Sequence, residues 1–110
     1  MKGLVELAER VEALPHMSRS LNCELKEVEG AQFAQNYLGS IDAARRLVPD
    51  GFSWCAGVTV DADGVVTQWA NVHDQAAYSQ RFDVSVNAAS PEIALCAAAL
   101  RARASQDSES

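Results

Sequence analysis

The sequence predicts an α+β fold: helices packed on a three-stranded antiparallel sheet, layered α-β-α, in the order three helices, three strands, one helix. Three observations carry this. Residues 52–60 alternate apolar and small or polar side chains with a period of two, and residues 81–88 do so again. Asp61-Ala62-Asp63-Gly64 between two apolar runs reads as a hairpin turn. The segments before 49 and after 90 carry the i, i+3, i+4 spacing of amphipathic helices. With 110 residues, the chain predicts one domain over 1–104 and a disordered polar tail over 105–110. Its apolar share of 48% and charged share of 22% exclude disorder throughout.

Leu4, Leu7, Ala8, Val11 and Leu14 form the stripe of the first helix, and Pro15 ends it. Ser18 or Ser20 caps a second helix whose stripe is Leu21, Leu25 and Val28, with Gly30 as its stop. Residues 31–39 show no clean period and read as a connector. Ser40 looks like an N-cap, with Asp42 in the first turn of a short helix that presents Ile41, Ala44 and Val48. Pro49-Asp50-Gly51 makes a turn.

Phe52, Trp54, Ala56, Val58 and Val60 then form the buried face of the first strand. If Ala62 and Asp63 are the two central turn residues, strand partners sum to 125. Trp54 then faces Asn71, Trp69 faces Ala56, and the two tryptophans become diagonal neighbours on one face. Residues 65–72 form the returning strand, 73–80 a polar loop, and 81–88 the third strand. In the last helix Ser90 is the cap, Pro91 occupies N1 and Glu92 complements the dipole. Ile93, Cys96, Ala97 and Leu100 make its stripe, and its alanines allow close approach to the sheet.

The formal charge is -6. No Lys or Arg lies between Arg46 and Arg81, a stretch that holds Asp50, Asp61, Asp63 and Asp74. Such a surface repels phosphate, so direct nucleic-acid binding is not expected. It suits a basic protein partner. No apolar run reaches the length of a membrane span, and the charged start, Lys2 and Glu6, argues against a signal peptide. Cys23, Cys55 and Cys96 are widely spaced and odd in number, which reads as reduced thiols. Cys23 and Cys96 are expected to be core residues and Cys55 half exposed.

No metal or cofactor is expected. His16, His73 and the cysteines lack ligand spacing, and Asp61-Ala62-Asp63-Gly64 fails as a calcium loop, its glycine standing fourth and Val72 twelfth. No phosphate loop, dinucleotide fingerprint, nucleophile elbow or zinc-protease motif occurs. Cys55 with His73 is a poor nucleophile pair, because nothing local activates the thiol. The candidate residues are therefore interface residues: Asp50, Asp61, Asp63, Trp69, His73, Asp74 and Tyr78. A small site built from His73, Asp74, Tyr78 and Arg81 is the alternative. A homodimer joined by a sheet face or edge is expected, since three strands leave two edges.

Ser18–Leu25, Tyr37–Ala44 with Leu47–Phe52, and Ala89–Leu100 together resemble segments of small uncharacterised phage and prophage proteins of the phage ABA sandwich domain type. The resemblance covers about residues 4–103. Ser20 and Asn22 depart from it, standing where the family segment has Glu and Asp. It implies an α–β–α arrangement and an accessory protein made in the host bacterial cytoplasm, and it transfers no catalytic residue. The function expected is non-catalytic binding of a host or phage protein, of which inhibition of a host defence system, as by anti-CRISPR proteins, is one form. The alternatives are a small-ligand-binding or hydrolytic protein using the 73–81 loop, or a virion or assembly component.

Overall fold

A computed structural model describes residues 3–74 and 83–109. Helix α1 (Leu4–Glu12) buries the predicted Leu4, Leu7, Ala8 and Val11. Helix α2 (Arg19–Glu29) is capped by Ser18, whose Oγ accepts the Leu21 N–H at 3.3 Å. Gly30 ends it in the left-handed region at φ 80°, where a side chain would be strained, and its N–H reaches the Lys26 carbonyl. Helix α3 (Ile41–Ala44) runs into a 3-10 turn (Arg45–Leu47). Ser40 holds the N-cap position, but its side chain makes no capping bond; its carbonyl accepts from Ala44 instead.

Strands β1 (Phe52–Val60), β2 (Val66–Asp74) and β3 (Asp83–Ala88) form an antiparallel sheet in that order. Even-numbered side chains face the core: Trp54, Ala56, Ala70, Val72, Val84 and Val86 all belong to the core or pack on it. Among the described residues, no odd-numbered strand residue is buried.

Helix α4 (Pro91–Glu109) starts as predicted, with Ser90 Oγ accepting from Ile93 N–H at 3.1 Å. Every residue from Ile93 to Leu100 is buried, not one stripe alone. A helix apolar all round needs neighbours all round. Helix α4 has them: it crosses all three strands on one side and meets α1, α3 and the 3-10 turn on the other. The α+β class and the helix-packed three-stranded sheet stand as predicted. Among the described residues the layers run sheet, α4, then α1 and α3, so the helices stack on one another and not on both faces of the sheet. Helix α4 also continues to Glu109, past the boundary at 104 where a tail is expected.

Polar side chains hold the helical layer together. Arg101 of α4 donates to both carboxylate oxygens of Glu12 at 2.7 and 3.1 Å, which ties α4 to α1. Arg103 donates to the carbonyls of Leu47, Val28 and Arg46, capping the ends of two helical segments at once. Burial pulls the Arg103 pKa down, while Glu29 and Asp50 oppose that shift. The 31–39 connector is anchored by Asn22, which is only 6% exposed. Its Oδ1 accepts from Leu38 N–H at 3.0 Å and its amide donates to Asn36. That fixes Tyr37 and Leu38 in the core; the Tyr37 hydroxyl donates to Glu29 and its carbonyl accepts from the Cys96 thiol. Burial, then Glu29, pushes the Tyr37 pKa far up, and burial does the same to Cys96.

Candidate functional site

The turn between β1 and β2 decides what the sheet displays. Asp61 N–H donates to Val65 O and Gly64 N–H to Asp61 O, so the loop has three residues, with Gly64 in the left-handed region at φ 83°. Asp61 Oδ1 also accepts from Asp63 N–H at 2.8 Å and Val65 N–H at 2.9 Å. One residue more than the predicted turn moves the register by one: partners sum to 126, as in Trp54↔Val72 and Gly57↔Trp69. A slip of one residue changes which side chains share a face. The tryptophans are therefore not diagonal neighbours. Trp54 packs on the core face. Trp69 lies on the other face, over Gly57, where a Cβ would stand 3.2 Å from its ring. Trp69 Nε1 donates to Thr59 Oγ1 at 2.9 Å.

Trp69 shares its face with a polar cluster. Asn71 Nδ2 donates to Asp83 Oδ1 at 2.7 Å and to Ser85 Oγ at 2.9 Å. With its amide nitrogen so used, Asn71 Oδ1 accepts from His73 Nδ1 at 2.8 Å. His73 and Asp74 belong to β2, not to a loop, and successive strand residues point to opposite faces. They do not converge on one site. Tyr78 and Arg81 lie outside the described residues. No local pattern in the sequence marks Asn71, Asp83 and Ser85 as a group; only the cross-strand register brings them together.

The acidic candidates separate into two groups. Asp61 and Asp63 sit exposed at the hairpin tip. Asp50, exposed, and Asp74, opposite Phe52, sit at the root. Eight strand steps separate root from tip, about 27 Å.

The two sheet edges differ as well. Helix α1 lies beside β3, and a groove of about 330 Å³ there is lined by Val84, Ser85, Val86, Asn87, Glu12 and Arg101. Among the described residues, strand β1 pairs with β2 alone. Because Asp61 bonds Val65, the odd residues of β1 turn their backbone groups to β2, and Trp54, Ala56, Val58 and Val60 turn theirs outward. Val58, Val60, Val65 and Val66 are between 55% and 61% exposed. Val58, Val60 and Val66 continue the core face beyond the cover of α4.

Elsewhere, an open groove of about 390 Å³ separates α1 from α2 and is crossed by the two-pronged Arg10–Glu24 pair. Another, of about 420 Å³, runs past Asn22, Cys23 and Asn36. Cys23 is exposed and not a core residue; Cys55 is exposed and Cys96 buried. Among the described residues, no group of three His, Cys, Asp or Glu side chains could hold a metal, and no helix is long and apolar enough to cross a membrane. No family model, no curated protein and no solved structure matches this chain.

Proposed function

We propose that this chain is a phage or prophage accessory protein that acts in the bacterial cytoplasm by binding another protein, without a reaction centre of its own. A component of a host defence system is the target class. The observation that carries this reading is the β1–β2 tip, where four valines stand more than half exposed beside Asp61 and Asp63. Apolar side chains grouped at one end of a hairpin are the mark of a surface that meets a partner. The separation of His73 from Asp74 across the sheet supports binding over hydrolysis.

The test is capture of host proteins on immobilised wild-type protein and on Val60→Lys/Val66→Lys. A protein retained by the wild type and lost by the double variant supports the reading. Retention of a small molecule with no protein partner, or incorporation into purified virions, contradicts it. Light scattering at micromolar concentration tests the homodimer, for which a mass of twice the 11.8 kDa chain is expected.

A further inference from the structure

We infer that the outer edge of β1 is a docking site for an extended segment of another protein, added to the sheet as a strand, with apolar side chains at alternate positions and Lys or Arg where it passes the hairpin tip. This rests on the protein-binding reading above and names the place and the chemistry of contact.

The backbone groups of Trp54, Ala56, Val58 and Val60 point outward along a nine-residue strand. Folded proteins blunt such an edge with proline, charge, a bulge or a covering element. Residues 52–60 contain no proline and no charged residue, and their pairing with β2 is unbroken by a bulge. At the opposite edge, β3 is shorter, carries Asp83 and has α1 beside it. Strand addition draws affinity from main-chain hydrogen bonds and specificity from sites for alternate side chains. Val58 and Val60 supply the apolar shelf for those side chains, with Val66 behind them on β2.

Charge selects the occupant. Among the described residues, Asp61 and Asp63 make no ion pair. A second copy pairing antiparallel about Ala56 would set Asp61 against Gly51, next to Asp50, at both ends of the joined strands. Like charges so placed oppose association, whereas a cation there favours it.

The probe is a fluorescent peptide of nine alternating valine and threonine residues between paired lysines, with a glutamate-ended peptide as control. The lysine-ended peptide is expected to bind the wild type about tenfold tighter than the control. Ala56→Pro, which removes an outward N–H and no bond to β2, and Val58→Lys, on an exposed side chain, are each expected to weaken binding at least about tenfold. Val58→Lys decides the matter if Ala56→Pro does not fold. Equal affinity for the two peptides, no binding of either, or binding untouched by Val58→Lys overturns the inference. So does a wild-type dimer that Val58→Lys dissolves, since a second copy is then the occupant. A host protein captured equally by wild type and Val58→Lys removes this edge while leaving the protein-binding reading intact. Peptide binding without any host partner does the reverse.

Discussion

At the β3 edge, strand and helix close on each other: α1 lies alongside, and Arg101 clamps Glu12 where the two layers meet. At the β1 edge nothing comparable is present among the described residues, and the apolar face runs out past α4 into exposed valines. Both edges belong to one sheet and one register, so backbone pairing does not explain the difference. Position relative to α4 does. Residues packed on α4 contribute stability through burial, and those beyond it remain available for contact.

The sharpest test of this division is Leu100→Ala. Leu100 is fully buried in α4, and its truncation is expected to cost about 3–4 kcal/mol in denaturant unfolding. A loss below about 1 kcal/mol would mean that the helical layer is not the source of stability. Asn22→Ala comes next. It orphans the buried Leu38 N–H, and a loss of about 2 kcal/mol is expected, with the 31–39 connector becoming protease-sensitive. Arg101→Ala should cost about 1 kcal/mol, because the two-pronged pair with Glu12 is part-buried and joins α4 to α1. If the clamp guards the β3 edge, that variant also self-associates more readily than the wild type. Val60→Lys should change stability by less than about 0.5 kcal/mol, since the side chain is 61% exposed.

Alkaline pH sharpens the same contrast. Burial raises the Cys96 pKa above its value in the unfolded chain, so the folded state keeps a proton that the unfolded state gives up. The associated stability is complete below about pH 8.5 and falls as pH rises, by up to about 1.4 kcal/mol per unit. Tyr37 adds a second loss in the same direction above about pH 10. Cys96→Ala should remove the first decline in pH-dependent urea unfolding; a decline that persists would assign it to another group.

Much of the architecture was legible in local chemistry. The α4 start is written in Ser90-Pro91-Glu92, the α1 stripe in the leucine spacing, and β1 in its strict alternation. The hairpin register was not, because it hangs on the Asp61 carboxylate gathering two backbone N–H groups and making the loop one residue longer. That single residue parted Trp54 from Trp69. The exposure of Cys23 is not legible in the sequence, because helical spacing gives a stripe but not its width. Burial on every side of α4 was invisible for a related reason: alanine fits a narrow contact or a surface equally well, and only the neighbours decide. Of the interface candidates, the sequence supplied the tip carboxylates. It could not supply the outward backbone of β1, since no residue type records which strand lies at an edge.

Amide hydrogen exchange followed residue by residue, free and with the lysine-ended peptide, shows whether the β1 edge is open and receives a strand. Ala56, Val58 and Val60 are expected to exchange fast in the free protein, while Gly57 and Thr59 are protected by β2. With peptide bound, the three fast amides should slow at least about tenfold, the α4 core remaining unchanged. Protection of Ala56 and Val58 in the free protein, or peptide-induced slowing confined to α1 and α2, would contradict it.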